Sequence, residues 1–253
     1  MDRLVFTSNA TIKEQATARQ VLVNDLANVS TVGFKSSYDV ALQSVKVEGA
    51  GFDSRFQAQA VSRDLIRMQP GSIMGTGRPL DIAMADRGVM TVQAPNGEMA
   101  FTRRGDLKVN IQGQLENGSG HLVMGEGGPI TIPPGLVVSI NPDGTIYARD
   151  PAQVGPAADV RIDQLRLRDA SDVKLARRQD GLFKVDGQPD GSDIPVGANL
   201  PKVIPQALEG SNVSAIESMT RLIDQSRSFE TQIRIIKEMK GLDESGSSMM
   251  KTA

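Results

Sequence analysis

The chain opens and closes on helical spacing and reads as strand in between. Residues 3 to 29 contain no Gly or Pro, and Ile12, Ala16, Val23 and Leu26 recur at three- and four-residue steps, with Arg19 interrupting the stripe. So thin an apolar face predicts a helix that cannot be stable alone in water and needs a partner. Residues 211 to 240 carry a stronger stripe: Ile216, Met219, Leu222, Ile223, Phe229, Ile233, Ile236 and Met239, with small Ser226 in the gap. Ser211 or Asn212 is placed to cap the first turn, Ser214 with Glu217 forms a second candidate box, and Gly241 is the expected stop. At roughly 1.5 Å per residue, each helix is about 40 to 45 Å long.

Between about residues 70 and 205 the period shortens to two. Leu80, Ile82 and Met84 alternate with Asp81, Ala83 and Ala85. Leu107, Val109 and Ile111 alternate with Lys108 and Asn110, and Leu136, Val138 and Ile140 face away from Val137 and Ser139. Further strands are predicted at Val160–Ile162, Leu165–Leu167 and Leu182–Val185. Turns are predicted at Asp86–Gly88, Pro95–Gly97, Gln112–Gly113, Asn117–Gly118 and Asn141–Gly144, where Gly, Asn or Asp supplies the required dihedrals. The expected fold is mainly β with terminal α-helices: a central antiparallel β-domain, of sandwich or barrel kind, flanked by helices that pair as a coiled-coil-like layer. The expected divisions are an assembly helix and turn over 1–35, a partly extended connector over 36–75, the β-domain over 76–205, and an assembly helix and tail over 206–253.

Composition narrows the function. The 28 basic and 30 acidic residues leave a formal charge of -2, and with two Tyr and no Trp there is neither a basic field nor an aromatic platform for nucleic acid. No Cys is present, which excludes disulfides and thiolate chemistry. No run of about 18 apolar residues occurs, so no membrane insertion is expected, and no cleavable signal peptide is expected at the N-terminus.

Candidate chemistry is sparse. His121 is the only histidine, so zinc ligation and a Ser-His-Asp triad lack partners. Gly125–Gly128 lacks phosphate-loop spacing and is followed by Pro129, and the Asp186–Asp193 loop misses the EF-hand pattern. Asp81, Asp86 and Asp106 are the candidates for a carboxylate pair, which would suit a secreted enzyme acting on cell-wall glycan. Solvated strand faces and turns are the plainer reading of all three. The pairs Arg103–Arg104 and Arg177–Arg178 read as solvated. No cofactor, metal or small-molecule substrate is expected. What remains is an assembly architecture, in which half-satisfied apolar helices meet neighbouring subunits and a non-closing contact builds a filament.

Asn24, Leu26, Ala27, Asn28, Thr31, Gly33, Phe34 and Lys35 resemble the N-terminal signature of the flagellar axial proteins of rod and hook, with Val32 where that family usually has Pro. Leu208, Glu209, Gly210, Ser211, Asn212 and Val213, followed by a helix carrying Met219, Ile223, Arg227, Phe229 and Glu230, resemble the closing motif. Arg78–Ala83, Phe101–Gly105 and Gln112–Leu115 resemble the central domain of the longer rod proteins. Gly125–Pro133 and Arg227–Glu230 look most like the proximal rod type, with distal rod or hook type as the alternative. The resemblance implies a non-enzymatic rod subunit, exported without a cleaved signal through the flagellar export apparatus. It implies polymerisation across the periplasm with other rod proteins and copies of itself to transmit torque. It assigns assembly contacts to Asn24, Leu26, Asn28, Thr31, Gly33, Phe34, Lys35, Leu208, Glu209, Asn212 and the stripe Met219, Ile223, Phe229, Ile233 and Ile236.

Overall fold

The computed structural model describes residues 2–37, 40–46, 56–62, 64–152, 159–197 and 200–251. The chain is mainly β, with one helix near each end, and divides into two compact units. One draws on residues 1–27, 38–63 and 214–253, the other on 28–37 and 64–213.

In the first unit, helix α1 spans Asp2–Ala27, strands β1 (Val40–Lys46) and β2 (Phe56–Ser62) form an antiparallel hairpin, and helix α2 spans Ala215–Lys251. The hairpin register sets Val40 opposite Ser62 and Lys46 opposite Phe56. Both strands lie within the 36–75 segment expected to be a partly extended connector. Helix α2 starts where the capping box predicts, with the Ser214 hydroxyl accepting the Glu217 N–H at 3.4 Å. It does not stop at Gly241 but runs on to Lys251. Gly241 and Gly246 both lie inside it, and a Gly costs a helix only about 1 kcal/mol, too little by itself to end one. The two helices are in contact: Gln15 Nε2 donates to Ser228 Oγ, and Arg19 donates to Ser226 Oγ, each at 2.9 Å. Arg19, which breaks the α1 stripe, therefore reaches the small serine in the gap of the α2 stripe.

Among its described residues the second unit contains fifteen strands. The first seven are β3 (Ile73–Gly75), β4 (Ile82–Met84), β5 (Gly88–Gln93), β6 (Met99–Thr102), β7 (Leu107–Val109), β8 (Leu115–Asn117) and β9 (Leu122–Val123). The next four are β10 (Val137–Ile140), β11 (Thr145–Arg149), β12 (Val160–Gln164) and β13 (Leu167–Asp169). The last four are β14 (Leu175–Arg177), β15 (Phe183–Val185), β16 (Val203–Pro205) and β17 (Ala207–Glu209). The large sheet runs in the order β14-β15-β6-β5-β9-β8-β7, with β13 also on β5. Strands β10-β11-β12 form a second sheet, and two short pairs, β16-β4 and β17-β3, bind residues 203–209 to residues 73–84. Gln206 makes the bend between those last strands in the left-handed region (φ 56), and its carbonyl accepts the N–H groups of Thr76 and Gly77.

Strand β5 is covered on both faces. Met90 and Val92 enter one apolar cluster with Ile82, Leu107, Leu115 and Ile146, while Val89 enters another with Phe101, Leu175, Phe183 and Ile194. The alternation expected at β10 holds, with Val138 and Ile140 buried and Val137 and Ser139 exposed. Two others fail. Strand β4 is buried at all three positions, because β16 and the large sheet enclose it. On β7 only Leu107 is buried; Val109 is 39% exposed and Ile111, in the turn beyond, is 97% exposed. All five predicted turns form, closed by bonds such as Gly88 N–H to Ala85 C=O, Gly97 N–H to Ala94 C=O and Gly144 N–H to Asn141 C=O.

Candidate assembly site

The signature residues after α1 and the motif before α2 fold onto the β-domain together. Thr31 N–H bonds the Asn28 carbonyl and Phe34 N–H bonds the Thr31 carbonyl, so the chain turns twice within seven residues. Gly33 takes φ +68, and a Cβ there would stand 2.5 Å from the Arg103 backbone. Both the dihedral and the close approach demand glycine. Its N–H donates to the Glu209 carbonyl at 2.7 Å.

Lys35 follows, fully buried, and donates from Nζ to Glu209 Oε1 at 2.6 Å and to the Gln69 carbonyl at 2.7 Å. The other carboxylate oxygen of Glu209 accepts from Arg103 Nε at 2.7 Å, and Gly71 N–H adds a bond to Oε1 at 2.9 Å. Arg103 places three of its four remaining donors on the carbonyls of Met84, Asp86 and Gly88, at 2.7 to 2.9 Å. One carboxylate thus holds two buried cations, and every group has further hydrogen bonds, which is the condition under which buried charge is tolerated. Burial alone would raise the Glu209 carboxyl, but the hydrogen bond and charge of Arg103, with Lys35 adding to them, hold its pKa below the ordinary 4.5. Burial pulls the Lys35 amine below its ordinary 10.5 against the opposing hold of Glu209.

Asn212 completes the junction. Its side-chain oxygen accepts the Ser36 N–H at 2.7 Å, its amide donates to the Arg67 carbonyl at 3.0 Å, and its own N–H bonds the Phe34 carbonyl at 3.3 Å. The guanidinium of Arg177 lies 4.3 Å from the centre of the Phe34 ring and donates to the Lys35 carbonyl. Thr31, Gly33, Phe34, Lys35, Glu209 and Asn212 are therefore one bonded constellation, beside half-buried Leu208 on β17. Asn24 and Leu26 lie in the last turns of α1, exposed and half-buried respectively. Sequence reasoning missed Arg103 and Arg177. Neither is solvated, and the signal for Arg103 was its place inside the Phe101–Gly105 motif. Arg178, the second half of its pair, is also committed, donating to Glu98 and Asp180 at 3.2 Å each.

Helix α2 carries the rest. Ile216 is 81% exposed, Met219 53% and Ile223 54%, with Phe229 at the margin of exposure, while Leu222, Ile233 and Ile236 are half-buried. A groove of about 380 Å³ runs between the helices, lined by Ala16, Arg19 and Val23 of α1 and Gln225 and Phe229 of α2. Among the described residues no helix is long and apolar enough to cross a membrane.

Of the other candidates, Asp106 accepts two bonds from Arg104, at 2.7 and 2.9 Å, and its backbone forms a β-bridge with Asp81, whose buried carboxylate makes no hydrogen bond among the described residues and has Arg78 at 3.6 Å; Asp86 sits exposed in its turn. His121 caps nothing catalytic: its N–H bonds Asn117 Oδ1 at 3.0 Å. In the acidic loop, Asp190 takes Lys184, and Asp193 takes Arg166 and Arg168.

Two family models match, the flagellar hook protein FlgE/F/G D1 domain over residues 83–148 and the flagellar basal body rod FlgEFG protein C-terminal region over residues 204–249. They define the class as flagellar hook and rod proteins, and their bounds cover Arg103 and Glu209. The flagellar basal-body rod protein FlgF of Salmonella typhimurium is 36% identical over 238 residues, 93% of each chain, and that of Escherichia coli is 35% identical over 94% of each. FlgG of Agrobacterium fabrum is 29% identical over 88% of this chain and 89% of its own. The chain belongs to the FlgF family of flagellar basal-body rod proteins, and is a structural rod subunit, not an enzyme.

Proposed function

We propose that this subunit polymerises through its terminal segments, residues 1–35 and 206–253, pairing with copies of itself and with other rod proteins into the drive shaft that transmits torque. The observation that supports this reading is the bare apolar face of α2, where Ile216, Met219 and Ile223 are each more than half exposed. Such a face on a soluble chain is an interface waiting for its partner. Coiled-coil-like packing of α1 and α2 with neighbours covers it, and a head-to-tail contact that does not close extends the filament. In this scheme Asn24, Leu26 and Asn28 lead from the assembly helix into the segment that carries the Glu209 junction. The subunit sits in the periplasmic, proximal part of the rod and reaches it through the flagellar export apparatus without a cleaved signal. The 36% and 35% identity to the FlgF proteins of Salmonella typhimurium and Escherichia coli, against 29% to FlgG of Agrobacterium fabrum, supports proximal over distal placement. Electron microscopy of basal bodies from a strain lacking this chain tests the reading. Loss of the rod and of everything beyond it is expected; complete rods would overturn it.

A further inference from the structure

Within the β-domain a second apolar surface has no role in the Glu209 junction. A cleft of about 420 Å³ is lined by Val109, Ile111, Pro133, Leu136 and Val137, with Arg78 as the one ionisable group in its wall among the described residues. Ile111 occupies a tight turn, where polar residues are the rule, and is 97% exposed. A local rule broken without a packing return marks a functional position.

The cleft also lies along two sheet edges, for β7 ends the large sheet and β10 ends the three-stranded one. Asn110 N–H donates to the Gln114 carbonyl, so residue 110 faces the hairpin partner, as does Lys108 opposite Glu116. By antiparallel alternation, Leu107 and Val109 turn their amides outward. The Asp81–Asp106 bridge closes the start of that edge. Beyond it, Val109 offers a donor and an acceptor with no strand beside them among the described residues. Arg78 is 62% exposed and only 3.6 Å from Asp81, a loose pairing that leaves guanidinium donors for another acid.

We propose that the β7 edge takes up an extended segment of a neighbouring polypeptide, with apolar residues at alternate positions in the cleft and a carboxylate on Arg78. Backbone bonds to Val109 supply affinity and the cleft supplies specificity, the usual division in strand addition. This rests on the rod-subunit reading, which places neighbours within reach.

The test expresses the full chain in flagellated cells that lack their own copy. Val109→Pro deletes the outward N–H and leaves the β7–β8 bonds intact, while Arg78→Glu reverses the charge and Ile111→Lys spoils the apolar wall. Each is expected to cut swarm diameter at least twofold, with the melting temperature of purified protein unchanged for Ile111→Lys, whose side chain is 97% exposed. Arg78→Lys is expected to retain swarming. A photo-crosslinking residue at 111 in purified basal bodies is expected to attach to a segment of alternating apolar residues bearing Asp or Glu. Normal swarming of Arg78→Glu and Ile111→Lys, or attachment to a helix, overturns the proposal. Met219→Asp with Ile223→Asp is run alongside. If that pair alone stops swarming, only the strand proposal fails; if it too swarms normally, the assembly reading fails with it.

Discussion

Lys35 and Glu209 are 174 residues apart in the chain and meet at 2.6 Å, neither side chain reaching solvent. With Arg103 on the opposite oxygen, this pair ties the signature after the first helix to the motif before the last. A buried carboxylate between two cations is either fully matched or severely costly. Glu209→Ala is expected to destabilise the β-domain by about 3–5 kcal/mol, since it strands both cations in the interior. Urea unfolding followed by circular dichroism measures this. A loss under about 1 kcal/mol, the scale of a solvated pair, would show that water reaches the cations.

The depressed Glu209 pKa makes part of that stability depend on pH. A carboxylate whose folded pKa is lowered stabilises the fold above its unfolded value, and this contribution fades as pH falls below about 4.5 and through the folded value. Wild type is therefore expected to lose more stability between pH 6 and pH 3 than Glu209→Gln does. Parallel curves for the two would remove Glu209 from the acid response.

Gly33→Ala is expected to cost at least about 2 kcal/mol, because a left-handed L-residue is strained by about 1–2 kcal/mol before any clash. The added methyl also meets the Arg103 backbone at 2.5 Å, which cannot move aside as a side-chain tip would. The melting temperature of the β-domain is the readout, and Gly77→Ala is the control. Gly77 also has a positive φ (+70), but open space surrounds its Cβ position. Equal losses at both sites would show that the dihedral acts alone.

Periodicity and turn chemistry made much of the fold legible before any coordinates, because they act locally. Ser214 starts α2 as its hydroxyl predicts, and Val138 and Ile140 point inward as alternation predicts. Failures came where distant chain decided the environment. Strand β4 lost its alternation to β16, which arrives 119 residues later, as Val203 pairs with Met84. Arg103 reads as a surface cation until Glu209 and three carbonyls are seen around it, and nothing local in either segment announces the other. The signature residues were legible through resemblance, whereas their bonded geometry was not.

Under the proposed function, assembly depends on the exposed face of α2. Met219 and Ile223 are 53% and 54% exposed, so aspartate at both positions should leave the isolated subunit folded while placing charges in the contact between subunits. Electron microscopy of basal bodies from cells carrying Met219→Asp with Ile223→Asp, with swarming scored in parallel, measures this directly. The prediction is basal bodies without a completed rod and non-motile cells, with the purified chain melting within about 1 °C of wild type, under the roughly 2–4 °C that about 1 kcal/mol produces in a chain of this length. Complete rods and normal swarming would contradict it.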